Sequence, residues 1–526
     1  MFLKKEKLIK EVLVLIFITI YSYLINWHSG NIGIIPIDSF GFLDTGYSII
    51  NGHLPIRDFW IFTGLLVDYM EAFFLYLFGN NWNSHLAHSS FMNIVATAGL
   101  YFFLKEYNLK LSYIFFYCLC FATLCYPLSG TPFAYMHAFI FSLLAIFNLL
   151  IAIKKRNNFL WFLFPFVCMF AFLSMQTPTV YILTILVILL VLHFSREKKF
   201  ENLKFFLIGG ISSVSLFFLF LIFTETPIIN FIYQYILFPL TIGDGRITSK
   251  EIAYISLIDQ FNLKRLFGEF KFIHIFLIPL TFLSLKKIRE NDKSINVLNF
   301  IVILSVLGFL FNQLITANQI YIFSLIPILA ATLHINLNNL KVNRKIFFLL
   351  IFVVLFATVK FHLRFNIDRK FLDLENVDKS NAINVNKINE NFNNLKWISK
   401  YADPKNELKD IQQALEVINR DEREKTLITH YQFISTILNE NLNILNRWYL
   451  WDNNTHPTEN HKYFDIYKTL INKNLKSNNV EVIFLLGQKN EIKFENVKNY
   501  FTDLCFKSKT LVQDRFSRHE IVDCKK

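Results

Sequence analysis

Charge is what this chain has least of. Asp, Glu, Lys and Arg make up 18% of its 526 residues, where a soluble domain averages about 25%. That shortfall excludes an ordinary soluble enzyme. Several chemical signatures are missing too. There is no Walker A loop, dinucleotide-binding glycine pattern, HExxH helix or CxxC pair. The sequence therefore gives no ground for a P-loop nucleotide enzyme, a Rossmann cofactor site, a zincin or a CxxC redox centre. No internal repeat is evident, which weakens a transporter built from duplicated halves. The opening MFLKKEKLIKEVLVLIFITIYSYLINW lacks a small-residue cleavage site. It reads as an uncleaved first span rather than a signal peptide.

What is abundant is apolar: 54% of residues are hydrophobic. Eleven runs approach or exceed the roughly 18–20 residues that cross a bilayer. They are 9–27, 86–104, 111–128, 133–153, 159–175, 177–194, 205–223, 271–285, 295–315, 320–337 and 346–360. The chain is expected to be a polytopic α-helical membrane protein with about eleven transmembrane helices. Its net charge is +13. The loops KEYNLK, KKRNN, SREKKFENLK, KKIRENDK and KVNRK are basic, while PLSGTPF, MQTP and TANQ hold no Lys or Arg. That alternation puts the basic loops inside. It accounts for the charge without nucleic acid, since no basic stripe interleaved with aromatics occurs.

Residues 61–79 are apolar enough to cross, but carry Asp68 and Glu71. A central acid costs about 2.5–3.5 kcal/mol on insertion scales, and a crossing there would turn every later basic loop outward. An amphipathic helix on the outer surface is expected instead. The N-terminus then lies in the cytoplasm. Outer segments cover about 28–85 and 224–270, the second lying along the interface. After about residue 361, Asn, Lys, Asp and Glu take over. KTLITHY and VEVIFLL read as buried strands, and PKNELKDIQQALEVINR reads as an amphipathic helix. The expected division is a membrane module, 1–360, and a soluble α/β domain, 361–526, on the outer face. Cys118, Cys120, Cys125 and Cys168 fall in spans and act as small hydrophobes. Cys505 and Cys524 are either a disulfide or two free thiols.

The segment IDSFGFLDTGYSIINGHLPIRDFW, directly after the first span, concentrates acid: Asp38, Asp44 and Asp58, with Arg57 beside the last. Its continuation runs through IFTGLL to AFFLYLFG. The order of Asp44, Gly46, Tyr47, Gly52, Pro55, Arg57, Asp58, Phe59, Gly64, Phe78 and Gly79 resembles the first outer loop of GT-C superfamily glycosyltransferases. These are polyprenyl-phosphate-sugar-dependent membrane enzymes, among them protein O-mannosyltransferases and lipid A aminoarabinose transferases. FLSMQTP and NQIYIFSLIPIL resemble later family segments. Thr45 departs from a usual acid, Thr63 and Met175 from usual cations, and Leu65 from a usual proline.

The resemblance implies transfer of a sugar from a polyprenyl phosphate to a hydroxyl or amine, with inversion. Such a reaction needs a carboxylate to take the acceptor proton. It also needs donors or cations around the departing phosphate. Asp44 is the expected base; its bland alternative is a helix N-cap. Asp58, Arg57, His53, Tyr47, His137, Gln176, Arg246, Lys264 and Arg265 are the expected substrate contacts. Their bland alternatives are a local Arg57–Asp58 ion pair, cations snorkelling to head groups, a structural histidine at 137 and helix-end capping at 176. No metal ligand is assigned, and the lipid-linked sugar is a substrate rather than a cofactor. The implied partners are membrane lipid, the donor, and an envelope glycan, lipid or protein acceptor, in a bacterial inner membrane. Two rivals stand beside this reading: a flippase or polymerase of lipid-linked glycans, and a degenerate membrane scaffold or sensor.

Overall fold

Runs of Leu, Ile, Phe and Val with few breakers favour helix wherever no partner strand is near. A computed structural model of the chain describes residues 2–196, 200–248, 263–289, 293–316, 322–340, 342–368, 370, 374–401, 403–488 and 491–524. The described residues up to 361 form a helical array. In order they form α1 (Phe2–Gly30), α2 (Pro36–Ile50), α3 (Leu65–Phe78), α4 (Trp82–Glu106), α5 (Leu111–Cys125), α6 (Ala134–Lys155), α7 (Asn158–Ser174), α8 (Gln176–Arg196) and α9 (Glu201–Phe223). Then come α10 (Ile228–Phe231), a π-helical turn (Ile232–Leu237), α11 (Phe238–Thr248), α12 (Leu263–Glu269), α13 (Lys271–Arg289), α14 (Lys293–Thr316), α15 (Leu325–Asn339) and α16 (Arg344–Phe361). Each of the eleven apolar runs overlaps one of these helices; residues 320 and 321 of the run 320–337 lie outside the described residues.

Among the described residues, six helices are long and apolar enough to cross a membrane, within α1, α6, α8, α9, α14 and α16 with its extension to Asp368. Four shorter apolar helices accompany them: Leu111–Cys125, Asn158–Ser174, Ile228–Gly243 and Leu325–Asn338. The outward faces of α1, α9 and α16 are lined with bare Leu, Ile and Phe; Phe223 is 83% exposed. Water does not tolerate so extensive an apolar surface, so the array is embedded in lipid. Its interior is one apolar core to which α4, α5, α6, α13, α14 and α15 all contribute.

The segment expected to lie on the surface forms α3, with an inverted polarity. Asp68 and Glu71 are fully buried, while Phe73, Tyr76, Leu77 and Phe78 face outward. The acids point into the protein because their partners lie there. In the segment expected along the interface, Phe231, Gln234, Tyr235 and Phe238 pack inward while Ile228, Ile229 and Leu240 stay exposed. Gln234 accepts from the Ile61 amide at 3.1 Å and donates to the Ile56 carbonyl at 2.9 Å. Phe238 meets Trp60 edge-on. Residues 249–262 of that segment lie outside the described residues.

The C-terminal region is α/β, as its strand and helix patterns predict. Its four-stranded sheet has the order β3 (Lys425–Thr429), β4 (Val482–Leu486), β6 (Phe516–Val522), β5 (Cys505–Val512). Strands β3 and β4 pair in parallel, Lys425 opposite Val482, and both are buried throughout. That explains their unbroken β-branched and apolar runs. Helices α17 (Pro404–Arg420), α18 (Ile434–Leu438) and α19 (Phe464–Ser477) flank the sheet. A short ladder, β1 (Ile383–Asn384) with β2 (Lys396–Trp397), precedes it. Cys505 and Cys524 form a disulfide.

This region is stitched to the segment that follows α1. Gly33 and Ile34 donate to the Lys396 and Ile398 carbonyls at 2.9 Å, and Trp60 donates to Leu445 at 2.9 Å. The Lys370 ammonium sits inside the end of α1. It donates to the carbonyls of Ser29 at 3.0 Å, Gly33 at 2.7 Å and Ile32. Burial pulls its pKa down to about 7.

Candidate active site beneath the C-terminal domain

Helix α2 begins at Pro36, whose fixed φ suits a first turn and whose missing N–H is no loss there. Ile35 is the N-cap residue, so Asp44 lies in mid-helix and is not a cap. Residues 39–48 of α2 are all buried, since α3 packs on one side and α18 on another. Asp44 keeps 4% of its surface. Its Oδ1 accepts from the Ser435 hydroxyl on α18. Burial raises its pKa, the Ser435 hydrogen bond pulls back, and the result is about 7.

One residue on, the Thr45 hydroxyl donates to Asp68 Oδ1 at 2.6 Å. The other Asp68 oxygen pairs with Arg447, which arrives from the C-terminal domain. Arg447 also donates to the Thr63 carbonyl at 2.5 Å, and its guanidinium lies 4.4 Å from the Phe42 ring centre and 5.0 Å from that of Trp448. Burial raises the pKa of Asp68, Arg447 offsets part of that, and the result is about 6. Burial also lowers the pKa of Arg447. Gly64 has φ +74°, and a Cβ there would stand 2.8 Å from Phe42 and 2.9 Å from Arg447. Glycine is required on both counts. An acid at 45 would face the Asp68 carboxyl, which gives the threonine a physical reason. The cation beside Thr63 is Arg447, and Met175 packs in the same corner as Phe42 and Trp448.

Deeper in, Glu71 accepts from two imidazoles. Its Oε1 lies 2.7 Å from His85 Nδ1 and its Oε2 lies 2.7 Å from His88 Nδ1. Burial pushes the Glu71 carboxyl up, but the two histidines outweigh it and hold it at about 2. His137 joins through His88. Gly46 makes room for this acid, because a Cβ there would stand 2.5 Å from Glu71 Cγ.

The other expected contacts divide. Tyr47 is buried on α2 among Phe40 and Leu43. Arg57 and Asp58 form the local ion pair, Nη2 to Oδ2 at 2.7 Å, and Asp58 also accepts from the Leu54 amide at 2.8 Å. Arg57 further donates to the carbonyls of Gly52 and Thr224. With His53 they line an open polar cleft of about 140 Å³ against Lys473, Asn474 and Ser477 of α19. Asp44 is not among its lining residues. Burial lowers the pKa of His53. Gln176 spends its amide on the carbonyls of Phe62 and Tyr235, at 2.8 and 2.7 Å. Lys264 stands exposed on α12, apart from these contacts. The side chains of Arg246 and Arg265 lie outside the described residues.

The sequence reading missed Ser435, Arg447, Asp68, Glu71, His85 and His88. The one local signal was His85 and His88 at i, i+3, which share a helix face. Comparison with protein-family models and with curated proteins finds no match to this chain.

Proposed function

We propose that the protein is a multi-pass membrane glycosyltransferase of the GT-C type. It moves a sugar from a polyprenyl-phosphate donor to an acceptor on a cell-envelope glycan, lipid or protein. In this reading eleven helices cross a bacterial inner membrane, the N-terminus is cytoplasmic, and the C-terminal domain is periplasmic. A disulfide in that domain suits an oxidising compartment.

The observation that carries the reading is Asp44. It is a buried carboxyl on the segment directly after α1, with a pKa of about 7. A base with that affinity is ionised often enough near neutral pH to act, and strong enough to take a hydroxyl proton as the bond forms. The acceptor oxygen attacks the anomeric carbon from the face opposite the phosphate. Asp44 receives its proton, and the polyprenyl phosphate leaves as an anion. Arg447, held beside Thr63, is the described cation best suited to stand near that charge. Ser435 must withdraw before an acceptor reaches Asp44, so turnover includes movement of α18 or of the domain that bears it.

The test is a deletion strain complemented with wild type or Asp44→Asn, with envelope glycans profiled by mass spectrometry. Loss of one sugar on deletion, restored by wild type and not by the variant at equal membrane level, is expected. Full restoration by Asp44→Asn refutes the assignment. The covering of Asp44 by Ser435 also favours a second reading, a scaffold that has kept the fold without the reaction. An unchanged glycan profile on deletion, with a partner lost from pull-downs, selects it.

A further inference from the structure

Glu71 on α3, His85 and His88 on α4, and His137 on α6 are all fully buried. They form one series of five contacts. His85 Nε2 lies 2.9 Å from the Ser39 carbonyl, and His85 Nδ1 lies 2.7 Å from Glu71 Oε1. Glu71 Oε2 lies 2.7 Å from His88 Nδ1, and His88 Nε2 lies 3.0 Å from His137 Nε2. His137 Nδ1 closes the series, 2.9 Å from the Phe133 carbonyl. Phe74 stacks on His88 and Trp82 lies against His85, so the flanks are apolar.

Protons can be counted along this series. The two terminal carbonyls only accept, and a neutral imidazole brings one proton, an ionised carboxylate none. Five contacts need five protons; three neutral rings supply three. The fully bonded series therefore holds two extra protons and a net charge of +1. With four protons it is neutral, and one contact is left lone pair against lone pair. An unmade hydrogen bond in a buried place is unfavourable, so losing that proton changes the geometry. The weakest contact in the four-proton state is His88 to His137, because the Glu71 carboxylate draws the remaining protons to the ring nitrogens facing it. Among the described charged groups outside the series, Asp68 on α3 is the one coupled to Glu71, and its charge is paired with Arg447.

We propose that Glu71, His85, His88 and His137 form a buried proton-binding site, which ties α2, α3, α4 and α6 together when it holds five protons and gives up the His88–His137 link between α4 and α6 when it holds four. The site is independent of the transferase reading. Its ligand is the proton alone: the two ring nitrogens that converge, on His88 and His137, are too few for a structural metal centre, and among the described residues no group of three or more His, Cys, Asp and Glu side chains is placed to hold a metal ion.

The test uses the full chain in lipid nanodiscs, labelled with ¹⁵N-histidine and titrated from pH 6 to pH 9. Ring signals are assigned with H85Q, H88Q and H137Q, and the Glu71 carboxyl is followed by infrared difference spectra against E71Q. Five protons at pH 6 are expected, with a step to four on raising the pH and loss of the His88–His137 contact at that step. Four or fewer at pH 6, no such step up to pH 9, a step that leaves the His88–His137 contact intact, or one equivalent of bound metal, overturns the proposal. H137F removes two contacts, so three protons on two rings should remain: one fewer extra proton than in wild type. Should H137F fail to fold, E71Q serves. Its amide supplies one of the five protons, so one doubly protonated ring is expected at pH 6, and three neutral rings overturn the count.

Discussion

Replacing Arg447 with methionine leaves Asp68 without its cation in the interior. Both side chains are almost fully buried, 2% and 0% exposed, so water does not screen the loss. Removing one partner of such a pair costs about 3–5 kcal/mol, because the survivor is left uncompensated. The Thr63 carbonyl also loses its donor, worth about 1 kcal/mol. The damage is local: Arg447 links the C-terminal domain to α3, so the docking of that domain weakens before the helices unfold. Hydrogen exchange on nanodisc-held protein reads this directly. Amides of 434–449 should lose protection by roughly three to four powers of ten, since each 1.4 kcal/mol is about tenfold. Adding Asp68→Asn removes the stranded charge while still accepting from Thr45. The double variant should recover at least about 2 kcal/mol. A single-variant cost under about 1 kcal/mol, or strict additivity of the two changes, refutes the ion-pair account.

Other outcomes follow from the same geometry. Asp44 has a folded pKa of about 7, raised above an ordinary value near 3.9. Its contribution to stability is therefore full below about pH 4 and is lost as pH rises toward 7. Asp44→Asn should flatten that fall in a pH series of thermal melts, and should be the more stable protein at pH 8. If Asp44 is the base, transferase activity rises with pH through an apparent pKa near 7; an activity flat from pH 5 to pH 8 speaks against it. Gly46→Ala drives a methyl into Glu71 and should cost about 1–3 kcal/mol, seen as a lower Tm. Lys370→Met leaves three carbonyls at the end of α1 without their donor. It should cost about 1–3 kcal/mol and speed exchange of amides 31–34, and an unchanged exchange pattern there would count against this clamp.

Much of the architecture was legible in the residues. Long apolar runs have few alternatives to helix, and KTLITHY and VEVIFLL became adjacent parallel strands because both are apolar on two faces. Asp44 stood out because acid after a span is unusual. The segment 61–79 was harder. Its acids argued for a water-facing surface, yet they are buried, since histidines 14 and 17 residues on from Glu71 and an arginine 379 residues on from Asp68 compensate them. Local sequence prices a buried acid without knowing what faces it. Ser435 was equally out of reach: 391 residues separate it from Asp44, and an isolated serine in a soluble domain carries no pattern. Arg57 and Asp58 form the local pair that was the alternative reading, as adjacent opposite charges do when the backbone lets them, and both also line the polar cleft.

The clamp on α1 bears on how the protein is made. Lys370 reaches back across 341 residues to Ser29. A ribosome has delivered about 70% of the chain before that lock can close. Until then the C-terminal end of the first helix lacks its Lys370 donor, and the acidic segment lacks the domain that covers it. A chain cut short before residue 370 would carry the helices of the array but neither the clamp on α1 nor the Ser435 and Arg447 contacts.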